Sequence, residues 1–139
     1  MNLETGSLTT LEGEKHTKPI SALHCPEAFA SNENLVHVFM TAGQDGLVKI
    51  WDRRSNSSVA QCNSGGAKSP FFSVGSNASL IAAGTDKDIL VWDIHKLQKP
   101  IGRFIECHND EVTAVKFCPQ ASDFMLSCSI DNVLNMFDY

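Results

Sequence analysis

The sequence predicts an all-β chain built from three copies of one sheet unit, and three observations carry that expectation. One pattern occurs three times: Thr41-Ala42-Gly43-Gln44-Asp45 leading to Trp51-Asp52, Ala82-Ala83-Gly84-Thr85-Asp86 leading to Trp92-Asp93, and Ser127-Cys128-Ser129-Ile130-Asp131 leading to Phe137-Asp138. In each copy an Asp stands six positions before the aromatic, and another Asp follows it. The aromatic recurs after 41 and then 45 residues, close to the ~40–45-residue spacing of propeller blades. That period predicts a partial β-propeller of three four-stranded antiparallel blades.

Each copy reads as a hairpin. Val36–Thr41, Leu80–Ala83 and Phe124–Ser127 are short apolar or β-branched runs, each followed by a turn rich in Gly, Asp, Asn or Ser. Leu47–Trp51, Ile89–Trp92 and Val133–Phe137 are the predicted returns. The returns are apolar on both faces, with Val48 and Ile50 pointing one way and Leu47 and Trp51 the other. Such a strand belongs to a sheet covered on both sides. A further strand is predicted ahead of each hairpin, at Ile20–Cys25, Phe71–Val74 and Val112–Cys118. Pro26 and Pro119 stop the first and third, because proline cannot donate to the ladder. Less apolar edge strands are predicted before these, at Leu8–Leu11, Ser58–Cys62 and Pro100–Ile105. The chain therefore divides into repeats 1–52, 53–93 and 94–139, each supplying the four strands of one blade.

Composition narrows the function classes. A net charge of -5 gives no basic stripe of the kind that marks nucleic-acid binding. No apolar run approaches the ~20 residues that cross a bilayer, and the first residues have neither a basic start nor an apolar core of a secretory signal. Cys25, Cys62, Cys107, Cys118 and Cys128 are odd in number and contain no Cys-x-x-Cys pair. They read as reduced thiols of a protein in the cytoplasm or nucleus.

The repeats resemble those of the WD40 family, in which a Gly-His pair leads through a Ser/Thr-x-x-x-Asp turn to Trp-Asp. Lys15-His16-Thr17-Lys18-Pro19-Ile20 matches the opening with Lys in place of Gly, and Cys107-His108-Asn109-Asp110-Glu111-Val112 matches it with Cys. The middle repeat has Gly65-Gly66-Ala67-Lys68-Ser69-Pro70 there and no His, and Ala82 is read as standing where Thr41 and Ser127 stand. The last repeat is most similar to the WD repeat-containing protein 89 type. The resemblance implies a hydrogen-bonded relay of His, Ser/Thr, Asp and Trp inside each blade. The first repeat has the full set, His16, Thr41, Asp45 and Trp51. The third keeps His108, Ser127 and Asp131, while Phe137 offers no donor; the second keeps only Asp86 and Trp92. Buried polar groups left unpaired cost roughly 1–3 kcal/mol each. The first blade is therefore expected to be the best tied and the second the loosest.

A nucleophilic triad would use the same residue types, but this set recurs at the repeat period, whereas an active site would occur once. No catalytic residue is assigned. His24-Cys25 and Cys107-His108 are the candidate metal pairs, yet neighbours along a strand point to opposite faces. No metal or cofactor is expected. The resemblance implies a protein-interaction scaffold whose contacts come from rim turns, at Lys18, Gln44, Thr85, Asp110 and Ile130. Trp51-Asp52-Arg53-Arg54 resembles a motif by which WD40 proteins dock on the adaptor of cullin-4 ubiquitin ligases. Arg54 would be the contact in that alternative role of substrate receptor. Three repeats fall short of the ~4–8 blades of a closed ring. A fragment or short product of a roughly seven-bladed protein is expected, with open ends that self-associate or find missing blades, and a truncated product without activity of its own is a further alternative. Other proteins are the expected partners.

Overall fold

A computed structural model describes residues 6, 8–26, 37–66, 68–118 and 124–139. Val36, Ala67 and Pro119, on which expectations above rest, lie outside the described residues. The described chain is all-β: β1 (Ile20–His24), β2 (Val38–Gly43), β3 (Leu47–Asp52), β4 (Ser57–Asn63), β5 (Ser73–Ser76), β6 (Leu80–Gly84), β7 (Ile89–Asp93), β8 (Gly102–Phe104), β9 (Val112–Phe117), β10 (Phe124–Ser129) and β11 (Leu134–Asp138). Each predicted hairpin forms where its apolar runs flank a Gly, Asp or Asn turn. The strand predicted at Phe71 starts two residues later: Phe71 N–H bonds to the Gly43 carbonyl of β2, and its side chain is fully buried.

The strands form three antiparallel sheets, β1-β2-β3-β4, β5-β6-β7-β8 and β9-β10-β11. The division differs from the sequence repeats by one strand. β4 was expected to open the second unit but pairs with β3, and β8 pairs with β7 instead of opening the third. A sheet therefore takes three strands from one repeat and its outer strand from the next. Two corrections follow for the described residues. Leu8–Leu11 is not a strand, and the third sheet has three strands instead of four. The physical reason is the short link from β3 to β4: four residues after Asp52 allow a tight reversal onto the same sheet, and antiparallel neighbours need no more.

The sheets stack face to face. Met40, Ala42, Val48 and Ile50 of the first pack with Ile81, Ala83, Leu90 and Trp92 of the second, around Phe71 and Val74. On its other face the second sheet presents Ala82, Ile89 and Val91 to Val112, Val115, Phe117 and Met125 of the third. Phe71 meets Trp92 edge-on at 5.8 Å, the favoured geometry for an aromatic pair. At Gly75 a side chain would collide with the Val115 carbonyl, so glycine lets β5 and β9 approach. The middle sheet is covered on both faces, and Trp92, Ile81, Ile89, Ala82 and Ala83 are all completely buried. At roughly 1.5–3 kcal/mol for each large apolar side chain removed from water, this double burial outweighs a few hydrogen bonds. The second sheet is the best packed of the three, so packing stands against the missing hydrogen bonds that led to the expectation of the loosest blade.

Candidate functional site

In the first sheet the four relay residues meet. β2 carries Thr41 opposite Lys49 of β3, with Phe39 opposite Trp51. The segment ahead of β1 brings His16 over this face. His16 Nδ1 lies 3.0 Å from the Asp45 carboxylate, and His16 Nε2 lies 2.8 Å from Thr41 Oγ1. A carboxylate only accepts, so Nδ1–H donates to Asp45, Nε2 accepts the Thr41 hydroxyl proton, and Thr41 Oγ1 accepts from Trp51 Nε1–H at 2.8 Å. Asp45 also accepts from the main-chain N–H groups of Thr17 and Leu47 at 3.0 and 3.2 Å. Burial pushes the Asp45 carboxyl up, but the bonds from His16, Thr17 and Leu47 outweigh it and hold it below its ordinary value. A side chain at Gly43 would overlap His16 Nδ1 and Asp45, so the glycine before the turn makes room for the ring.

The third sheet repeats this arrangement without the indole. His108 Nδ1 lies 3.1 Å from Asp131 and Nε2 lies 2.7 Å from Ser127 Oγ. Asp131 accepts from Asn109 N–H and Val133 N–H, both at 2.8 Å. Burial raises the Asp131 carboxyl, and these two bonds together with His108 reverse the shift, leaving it lowered.

Sequence reasoning missed one member of the set. Lys49, only 2% exposed, donates from Nζ to the Glu14 carbonyl at 2.8 Å. Asn135 holds the same register position in the third sheet, opposite Ser127, and donates from Nδ2 to the Cys107 carbonyl at 2.7 Å. Each ties down the chain just ahead of the relay His. The signal was a polar residue two places before the aromatic, inside an otherwise apolar return. It is present in the two repeats that have a His and replaced by Leu90 in the repeat that lacks one.

The second sheet has dismantled the relay. Its hairpin is closed by the pair Gly84 and Ile89, leaving four turn residues, whereas Ala42 with Val48 and Cys128 with Leu134 each leave five. The register moves by one, Trp92 stands opposite Ile81, and the residue at the hydroxyl position is Ala83 instead of Ala82. Asp86 sits exposed in the turn, so it is not the relay acid its spacing suggested. Asp88 turns inward in its place, accepting from Arg103 Nε at 2.8 Å and from Glu106 N–H at 2.7 Å, with a further contact to the same guanidinium. The other polar groups bond to neighbouring sheets. Trp92 Nε1–H donates to the Asn63 carbonyl at 3.2 Å, and Ser73 Oγ donates to the Val112 carbonyl at 2.7 Å.

The rim turns are stitched at one end of the stack. Gln44 N–H donates to the Pro19 carbonyl and Ile130 N–H to the Glu111 carbonyl, each within one sheet. Phe71 N–H to Gly43 and Val112 N–H to Thr85 bridge successive sheets. Lys18 and Asp110 are exposed here, Ile130 is 54% exposed and Gln44 is half-buried. Thr85 is 1% exposed. Its hydroxyl accepts from Asp88 N–H inside the turn, so it is a turn residue and not a contact residue. Arg54 is bidentate on Asp52, at 3.0 and 2.6 Å. Its side-chain and main-chain bonds hold the Asp52 carboxyl down to about 2. Asp52 and Asp93, the acids that follow the two tryptophans, each accept the N–H two residues on, from Arg54 and His95.

Of the metal-candidate pairs, His108 is engaged by Asp131 and Ser127 as above. His24 is buried between β1 and β5. Its Nε2 accepts from Ser76 N–H at 3.1 Å and lies 2.9 Å from Ser76 Oγ. Burial, helped by the charge of Lys116, lowers its pKa to about 4. Cys25 is exposed, and the Cys62 thiol is pushed up to about 12 by burial.

Comparison with known proteins agrees with this geometry. The family described as WD domain, G-beta repeat matches residues 6–52 and 98–138, more than half of the chain, and its match leaves out the stretch without the relay. An uncharacterised WD repeat-containing protein of Saccharomyces cerevisiae is 33% identical over 85% of this chain and 31% of its own length. WD repeat-containing protein GTS1 of Arabidopsis thaliana is 34% identical over 73% of this chain and 26% of its own. The WD repeat-containing protein 89 homolog of Dictyostelium discoideum is 28% identical over 79% of this chain and 29% of its own. A chain in the crystal structure of the mitotic checkpoint complex superposes with a TM-score of 0.78 at 18% identity, covering 99% of this chain and 40% of that one. The chain thus spans about a third of the length of these curated relatives.

Proposed function

This chain belongs to the WD40 repeat family, and from the geometry of its rim we propose that it is a non-enzymatic scaffold that binds other proteins. The observation that carries the reading is the stitched rim. Turns of successive sheets are bonded to one another on a stiff stack, and Lys18, Asp110 and Ile130 stand exposed on them with Gln44 beside them. Such a surface presents opposite charges around an apolar side chain with little ordering left to do on binding. Both His–hydroxyl–Asp sets are spent on structure, their hydroxyls buried and each aimed at its own histidine, which argues against nucleophilic chemistry. Affinity purification with Ile130→Asp combined with Asp110→Lys is the test. Loss of the recovered proteins, with an unchanged β-sheet circular dichroism spectrum, is expected. Recovery of the same proteins in the same amounts would contradict the rim reading.

Docking on a cullin-4 ligase adaptor through Arg54 is the second reading. Its support is that Asp52 fixes the guanidinium in one position while leaving it half-exposed. Against it, the same bidentate pair already engages Nε and Nη2 of the fork. Exchange of Arg54 for Asp should abolish adaptor pull-down if the reading holds, and unchanged recovery would retire it. The five free thiols suit a reducing compartment, cytoplasm or nucleus.

A further inference from the structure

The link from β7 to β8, residues 94–101, forms a surface of its own at the end of the stack opposite the rim turns. It belongs to the middle sheet, which has a neighbour on each face, so it stands apart from the outer faces of the stack. Main-chain bonds set its shape. Ile94 N–H donates to the Ser79 carbonyl at 2.9 Å, Lys96 N–H to the Asp93 carbonyl at 2.8 Å, and Ile101 N–H to the Val91 carbonyl at 2.7 Å. A link held at both ends needs little further ordering when something binds it. Along it lies a groove of about 620 Å³. Ile94 and Leu97 line this groove and are anchored on the core between the first two sheets. Pro100 and Ile101 line it from the far end of the link, and Ile101 is 59% exposed.

Charge narrows what the groove accepts. Residues 94–105 contain no carboxylate, in a chain whose net charge is -5. The neighbouring Asp93 turns its carboxylate to His95 N–H, and Arg103 is spent on Asp88. Lys96 and Lys99 also line the groove and are exposed. Neither enters an ion pair among the described residues. Unspent ammonium groups beside an apolar groove select a ligand with both apolar bulk and negative charge. An anionic membrane surface is read by clusters of roughly 4–8 basic residues. A concave groove with a pair of lysines fits a peptide segment better.

We propose that the 94–101 link is a second docking site, which takes an acidic peptide segment of a partner protein. A large apolar side chain of that segment enters the groove between Leu97 and Ile101, and carboxylates beside it pair with Lys96 and Lys99. The buried anchor supplies most of the affinity. The charge pairs guide the encounter and discriminate against basic segments. The site does not depend on the rim reading, and with both in place one chain holds partners at opposite ends of the stack.

Panning a phage-displayed library of random peptides on the 139-residue chain tests this. Enriched peptides are expected to place Asp or Glu on both sides of a large apolar residue. Their binding, followed by fluorescence anisotropy, should weaken by about tenfold or more when Lys96→Glu is combined with Lys99→Glu. Ile101→Asp should have a similar effect. These changes fall on exposed side chains, so the β-sheet spectrum should be kept. Exchange of both lysines for Arg should preserve binding, and added salt should weaken it. Ile130→Asp should leave it unchanged, which separates this site from the rim. No enrichment, enriched peptides without acidic residues, or acidic ones indifferent to the Lys96, Lys99 and Ile101 changes would each overturn the proposal. In that event, attachment to phosphatidylserine vesicles that is lost with the lysines would assign the link to a membrane surface instead.

Discussion

The first and second sheets share a fold and are held by different physics. The first is tied from within: His16, Thr41, Asp45 and Trp51 form one chain of hydrogen bonds, and Lys49 fastens the segment that brings the His. The second has lost the His and the hydroxyl, and it sends its indole, Ser73 and Asp88 to other partners. Its compensation is position. Both its faces are buried against other sheets, whereas the relay face of the first sheet is covered, among the described residues, by the segment ahead of β1. The difference teaches that a sheet can do without the relay when packing on both of its faces holds it.

Substitutions can break or sharpen that contrast. Trp92→Ala removes the largest fully buried side chain at the junction of the first two sheets and should cost about 3–5 kcal/mol in chemical denaturation. His16→Ala strands the Asp45 carboxylate and the Thr41 hydroxyl, with an expected loss of roughly 2–3 kcal/mol. His108→Ala should cost a similar amount, and a negligible effect of both would mean the relay contributes nothing.

Acid should act through His24. Its folded pKa of about 4 lies below the ordinary value of 6.5, so the unfolded chain binds the extra proton between those values. Stability is full above about pH 6.5 and falls as pH drops toward 4, by about 3 kcal/mol at most. Asp45 and Asp131, also lowered, lose their contribution only as pH falls into and below the carboxylate range. A melting curve between pH 6.5 and 5 therefore reports His24, and His24→Gln should flatten it. The smallest effect is expected for Trp51→Phe, about 1 kcal/mol, since the third sheet already works with Phe137 in that place.

The three-sheet architecture was legible because an aromatic–Asp pair at a fixed period is a property of the chain alone. Two features were not. The phase of the sheets was hidden because β4 and β8 carry no mark of which neighbour they join. For β4 that choice belongs to the four-residue connection from β3; the eight residues between β7 and β8 are no shorter than the seven between β8 and β9, so length does not decide for β8. The middle repeat was misread because Asp86 keeps its distance from Trp92 while the turn is one residue shorter. A count along the chain cannot reveal a change of register between strands, so Ala83 and Asp88 passed unnoticed and Ala82 and Asp86 were chosen. Lys49 and Asn135 could have been found, since a polar residue in the middle of an apolar return has to bond to something.

Amide hydrogen exchange followed strand by strand tests the central claim most directly, because it reads each sheet's resistance to opening under one set of conditions. If burial between neighbours is the main source of stability, the amides of β6 and β7 exchange more slowly than those of β2 and β3. Faster exchange in β6 and β7 would mean that the hydrogen-bonded relay, and not the packing, sets the stability of these sheets.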